Sequence, residues 1–324
     1  MLSRTADHCY WMARYTERAE NTARMLDVNM RLSLLPQPED RRRQTWMVPL
    51  SISGLADNYF ERYKEVIPER VLEFMVFDAT NPSSIYSCLR GARENAHAVR
   101  GTLTSELWET LNSTWLDMRD YQRERFVEGG IGEFFEWVKF RSHLSRGVTV
   151  ATMLREEPFN FARLGTFLER ADNTARLLDV KYELLSVSQP DAASDFYQWS
   201  FLLRSVSAFE AYRKAYSDLI TPRRVAELLI LNEKMPRSLC QCMTEVHSNL
   251  VAVRNAASGE TERRAGELAS ALRFGNLEDI FDLGLHNYLT RFVERVADLS
   301  GRIANDFLVP VSGHEAAPVA GKVE

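Results

Sequence analysis

Two glutamate–arginine pairs, Glu17-Arg18 and Glu169-Arg170, are the side chains in this sequence best suited to do chemistry. Each sits in a twelve-residue stretch, Glu17–Val28 and Glu169–Val180. Ten of the twelve positions are identical, and the other two are the conservative pairs Glu20/Asp172 and Met25/Leu177. Paired carboxylates can serve as general acid and base, and guanidinium groups can clamp a carboxylate or phosphate substrate. Arg14, Asn21, Arg24 and Asp27 accompany the first pair, and Asn173, Arg176 and Asp179 the second. Glu294-Arg295 is a third, weaker copy, because Leu299-Ser300-Gly301 does not continue the pattern. The same residues could instead lock two halves of the protein together through reciprocal ion pairs. That structural role is the favoured one, since buried charge networks perturb titration without implying catalysis.

At about 100° per residue, the first stretch is an amphipathic helix. Tyr15, Ala19, Thr22, Ala23, Leu26 and Met30 fall on one side, and Glu17, Asn21 and Arg24 on the other, with Arg14 beside them. Small Ala19 and Ala23 leave room for a close helix neighbour. A solvated polar face seldom needs one particular residue, yet six polar residues recur unchanged, so a buried or cleft-lining charge network is expected.

Other chemistries find little support. Glu94-Asn95-Ala96-His97 has the spacing of a carboxylate di-metal ligand pair, but its counterpart Ser248-Asn249-Leu250-Val251 carries no ligands, so no metal site is expected. Cys240-Gln241-Cys242 reads as two core cysteines rather than a thiolate site. Cys88 and His97 are half a turn out of phase on one helix, and no Gly-x-Ser-x-Gly is present. Gly129-Gly130-Ile131-Gly132 precedes a helix but lacks the Lys-Ser/Thr of a phosphate-binding loop. No cofactor is expected.

The elements that must position these residues are all helical. One long helix covers residues 1–35 and ends at Pro36-Gln37-Pro38. A second, at 42–62, is interrupted near Pro49 and Gly54, and a shorter one begins at Pro68. Asn81 is expected to cap a helix running to Arg100, with Pro82 in its first turn. Helices follow from Thr104 to about Glu128 and from Glu133 to Arg155, and a last one spans 276–309 behind Asn276. The second half replays the first: Pro68–Asp78 matches Pro222–Asn232, and Pro82-Ser83-Ser84-Ile85 matches Pro236-Arg237-Ser238-Leu239. The expectation is an all-α, internally duplicated multi-helix bundle, with repeats of about 1–150 and 151–308 related by a pseudo-two-fold axis. The Pro-, Gly- and Ala-rich tail 309–324 is expected to be disordered.

The 324 residues are 45% hydrophobic and 26% charged, with a net charge of −5, which excludes a general nucleic-acid binder. Arg41-Arg42-Arg43 is the single sharp basic run. The start of the chain carries no secretory apolar region, and no apolar run is long enough for a bilayer. Four cysteines without a disulfide pattern fit reduced thiols in the cytoplasm.

The opening Leu2-Ser3-Arg4-Thr5-Ala6-Asp7, the run from Trp11 to Arg24, Ala92-Arg93-Glu94-Asn95-Ala96 and Phe167–Asp172 together resemble the alpha-E family, all-helical bacterial proteins named for a Glu-Arg motif. The resemblance covers roughly residues 1–308. It implies an association with circularly permuted ATP-grasp ligase-like proteins and transglutaminase-like peptidases, beside or fused to which such proteins are encoded. This chain would then be the helical partner that holds the ligase or its peptide substrate. The alternative is an enzyme in its own right, working on a peptide or amino-acid derivative in a Glu/Arg cleft; a weaker one is capture of an anion by the arginines. Homo-oligomerisation stays open.

Overall fold

The computed structural model describes residues 2–35, 39–121, 130–187, 192–217 and 219–308. Helices are the only regular secondary structure among them. The tail 309–324 and Gly129 of the glycine-rich turn lie outside the described residues.

The fold is built around two 31-residue helices, α1 (Ser3–Ser33) and α8 (Glu157–Val187), which pack along each other. Around α1 stand α2 (Glu39–Ser53), α5 (Ile85–Ala98) and α7 (Ile131–Thr152), with α6 (Ser105–Asp120) behind α5 and α7. Around α8 stand α12 (Leu239–Ala252) and α15 (Leu285–Ile303), with α13 (Gly259–Arg273) behind them. The short helices α3 (Ala56–Phe60), α4 (Pro68–Val76), α9 (Ala192–Ser205), α10 (Phe209–Ala215), α11 (Pro222–Ile230) and α14 (Leu277–Leu283) complete the shell.

The sequence explains why α1 and α8 approach so closely. Gly165 lies directly against α1: a Cβ there would collide with the backbone carbonyl of Tyr10. With neighbours on several sides, α1 buries its polar face too, including Glu17, Glu20, Asn21 and Thr22. The amphipathic reading of this helix therefore gives way to a helix wrapped in protein, whose charged side is covered by other helices rather than by water.

Local signals set most of the ends. Proline occupies the first turn of α4 and of α11, where its missing N–H costs nothing. Ser84, Thr104, Thr221, Ser238 and Asn276 cap their helices through side-chain oxygens. Three expectations need correction. Asn81 does not cap α5; its carboxamide donates to the Phe74 carbonyl and accepts from the Ser83 N–H, which shapes the turn that leaves Ser84 as the cap. The second helix runs straight through Pro49 and stops at Gly54, whose φ of +67° suits glycine. The last helix is broken by Gly284 at φ +87° into α14 and α15, and a π turn at Ala304–Leu308 ends it. α15 keeps a clean apolar stripe of Leu285, Leu289, Phe292, Val296, Leu299 and Ile303, which seats it on the core.

Replacing Gly165 with Ala forces the central helices apart, and the expected cost is about 1–3 kcal/mol, the usual penalty for overpacking. Gly147→Ala, in an exposed part of α7 with nothing within 4 Å of the added carbon, is expected to be neutral or slightly stabilising. Thermal denaturation of both variants checks the contrast.

Candidate functional site

The two Glu-Arg pairs meet across the α1–α8 contact, and they do so reciprocally. Arg170 on α8 donates to both carboxylate oxygens of Glu17 on α1, Nε to Oε1 and Nη2 to Oε2, each at 2.9 Å. Arg18 on α1 returns the arrangement, donating to Glu169 on α8 from Nε at 2.5 Å and Nη2 at 3.0 Å. Both are bidentate, which is the strongest form of this pairing.

Further arginines close each carboxylate. Glu17 also accepts from Arg146 on α7 and from Arg237, just ahead of α12, each at 2.9 Å. Glu20, one turn along α1, accepts from Arg24 and Arg237 at 2.7 Å, from Arg146 at 2.5 Å and from the Ser142 hydroxyl at 2.9 Å. Arg237 reaches Asn21 Oδ1 as well, at 2.8 Å. Glu169 accepts additionally from Arg14 at 2.8 Å. Glu17 and Glu20 are 1% and 0% exposed, so these pairs lie away from bulk water.

Burial alone would push the Glu17 carboxyl up; Arg170, Arg237 and Arg146 outweigh it and bring it down to about 2, against some resistance from Glu20. Glu20 behaves the same way, with burial overcome by Arg237, Arg146 and Arg24. Glu169 is likewise held below its usual range, because Arg18 and Arg14 overcome its burial. Arg237 is pulled below its usual value, first by burial and then by Arg170 and Arg24, while Glu17 and Glu20 resist. An arginine keeps its proton throughout, so Arg237 remains a cation on two carboxylates. His143, between Arg24 and Arg146, is held toward the neutral form by burial and by those arginines, against the pull of Glu20.

The remaining sequence-flagged residues divide. Asp27 leaves the network for a separate buried pair, accepting from Lys139 Nζ at 2.9 Å and from Arg31. Asp179 pairs with His286 at 2.8 Å near the surface. Arg176 pairs with Asp172 at 2.8 Å and stays partly open, with Asn173 beside it. Glu294 and Arg295 are exposed and join none of these contacts, because they ride on the face of α15 opposite its apolar stripe. Sequence reasoning missed Arg146, Arg237 and the central place of Glu20. Arg146 gave no signal; Arg237 gave one, as the charged residue standing where the matching sequence Pro82-Ser83-Ser84-Ile85 has Ser83.

A cleft of about 170 Å³ opens at this crossing, between the Glu169-Asp172-Asn173 face of α8 and the Arg18-Asn21 face of α1, with Ser83 at its edge. No group of three or more His, Cys, Asp or Glu side chains able to hold a metal occurs among the described residues. The thiols offer no nucleophile, since burial raises Cys9, Cys88 and Cys242 to about 12. No helix among the described residues is long and apolar enough to cross a membrane.

Glu17→Gln strands guanidinium groups in the interior, and the expected loss is about 3–5 kcal/mol of stability. Arg176→Ala removes a half-exposed i, i+4 pair and should cost under about 1 kcal/mol. The sign of the pH dependence follows from the depressed carboxyl. Its contribution is whole above the ordinary value of 4.5 and is lost as pH falls toward about 2. Melting temperature should therefore drop through that window, and Glu17→Gln should drop less steeply there.

Residues 1–308 match the Alpha-E family, described as a predicted alpha-helical domain with a conserved ER motif. Uncharacterized proteins of Mycobacterium tuberculosis and Mycobacterium bovis are 21% identical over 314 residues, covering 91% of this chain and 35% of theirs. The chain thus spans about a third of the length of the curated relatives it matches. No solved structure matches it. The chain belongs to the alpha-E family, and it carries two Glu-Arg sequences that clasp each other across α1 and α8.

Proposed function

We propose that this chain is a non-catalytic helical partner of an ATP-grasp-type peptide or amide ligase system, holding the ligase or its peptide substrate in the cytoplasm. The observation that carries the non-catalytic part is the state of Glu17. Its carboxylate is 1% exposed, and both oxygens are taken up by guanidinium groups. A general base needs a free lone pair within reach of a substrate proton and a pKa near working pH. Glu17 has neither, and Glu20 resembles it. These groups act as internal fasteners, and function then falls to surfaces and clefts.

The partnership with ATP-grasp-like and transglutaminase-like proteins rests on the family resemblance. The relatives' extra length favours it, because their alpha-E-like region is one part of a longer polypeptide. We also read the fold as two repeats about a pseudo-two-fold axis. Supporting this are the reciprocal pairs, the matching serine caps of α5 and α12, and buried Tyr59 and Tyr212, which donate to the Glu65 and Leu219 carbonyls from matching positions.

A tagged pull-down from the native host, read by mass spectrometry, tests the partnership. The expected result is an ATP-grasp-like or transglutaminase-like protein at near-equal amounts. Its absence under gentle, low-salt conditions overturns the reading. Turnover of a peptide or amino-acid derivative by the isolated chain, abolished in a still-folded Glu169→Gln variant, would establish the enzymatic alternative.

A further inference from the structure

The cleft beside Ser83 is the counterpart of a place that Arg237 fills in the other half. Lining up the two motif helices pairs Glu169 with Glu17, Asp172 with Glu20 and Asn173 with Asn21. Lining up the segments ahead of α5 and α12 pairs Ser83 with Arg237. The two turns are built alike. Ser84 Oγ donates to the Asp78 carbonyl at 2.7 Å, and Ser238 Oγ donates to the Asn232 carbonyl at 2.6 Å. Cys88 and Cys242 each lie 3.9 Å from the carbonyl of the proline six residues earlier.

In one half, then, a guanidinium bridges Glu17, Glu20 and Asn21. In the other, the corresponding Glu169, Asp172 and Asn173 face a cleft of about 170 Å³, because a serine stands where the arginine would be. That volume is far above the ~10–15 Å³ that one water needs. The charge count agrees. Glu17 and Glu20 are held by four arginines, Arg24, Arg146, Arg170 and Arg237. Among the described residues, Glu169 and Asp172 are held by three, Arg14, Arg18 and Arg176. One more guanidinium would bring the second site level with the first.

A second observation concerns Asn21, which lines the same cleft and is 3% exposed. Arginine can only donate, so the Arg237 contact fixes Oδ1 as the acceptor and leaves Nδ2 as the donor end of the carboxamide. That Nδ2 is buried without an acceptor. A buried donor left unmade is costly, and a ligand acceptor would relieve it.

We propose that this cleft binds a guanidinium group, with Glu169, Asp172 and Asn173 receiving its N–H donors and Asn21 Nδ2 donating to a carboxylate or carbonyl on the same ligand. Arginine has both parts, either free or within a peptide. The inference rests on reading the two halves as repeats, and deepens the substrate-holding role by naming the side chain held. It does not depend on a ligase partner, so its failure and that of the partnership are separable.

Isothermal titration of the full chain tests it, with L-arginine, L-citrulline, and an acetyl-Gly-Arg-Gly-amide peptide. Saturable binding of arginine or of the peptide is expected. Citrulline, which keeps the shape but loses the charge, should bind about tenfold more weakly or worse. Tighter binding of free arginine identifies a small-molecule ligand; tighter binding of the capped peptide identifies a peptide side chain. Ser83→Arg should fill the cleft with its own guanidinium, leave the melting temperature no lower than in the parent chain, and abolish binding. Asp172→Asn, at a partly exposed position, should weaken binding without unfolding the chain. No saturable heat with either arginine ligand, equal binding of citrulline, or undiminished binding by folded Ser83→Arg or Asp172→Asn overturns the proposal.

Discussion

The carboxylate of Glu17 is the point on which this structure turns. An isolated carboxylate in so dry a place would be protonated, because burial without compensation costs several kcal/mol. Arg170, Arg146 and Arg237 bring the compensation from three separate parts of the chain, α8, α7 and the turn before α12. Arg170 and Arg237 are themselves almost fully buried and Arg146 is partly exposed, so removing any of them leaves the buried carboxylate short of a counter-charge. A charge network of this kind fixes register as well as distance. The close contact of α1 with α8 would tolerate sliding if packing alone held it. Bidentate Arg–carboxylate geometry does not.

Such networks are often mistaken for active sites, because both are buried and both shift titration. The difference lies in what is left over. In the Glu17–Glu20 cluster the carboxylate oxygens are taken by the protein's own donors, and the cavity beside Glu17 and Arg146 is about 40 Å³, against about 170 Å³ beside Glu169. In the Glu169–Asp172 half, space and an unmatched amide are left over. One sequence pattern thus serves two ends, with a finished fastener on one side and an open cleft on the other. The residue that decides between them, Arg237 or Ser83, lies outside the motif itself.

The helical architecture was legible from periodicity, proline placement and caps, and the Glu-Arg pairing from the recurrence of the motif. Gly54 and the proline starts of α4 and α11 were readable because their backbone demands are local. Other features were not local. Asn81 precedes a proline in the manner of a cap, yet its side chain is drawn away to the Phe74 carbonyl by the turn packing over α4. Arg146 looks like any surface arginine on α7, and only tertiary structure sets it against Glu17 and Glu20. Glu294-Arg295 reads as the motif and is not one, since two residues of sequence cannot say which face of a helix meets the core. The polar side of α1 was expected to carry a buried or cleft-lining charge network, and neighbouring helices bury it; which helices supply the partners was not legible from sequence.

The crossed arrangement of Arg18 with Glu169 and Arg170 with Glu17 has a consequence for how such a chain can vary. Each copy of the motif supplies the counter-charge for the other copy. A change in one therefore injures a residue more than 150 positions away and leaves its own partner stranded. Neither copy can drift alone, and a loss in one is repaired only by a matching change in the other. Segments that pack by hydrophobic contact diverge freely, because oil-like side chains substitute for one another. Segments that hold each other's charges are bound to stay alike, and the near-identity of the two stretches is that bond read as sequence.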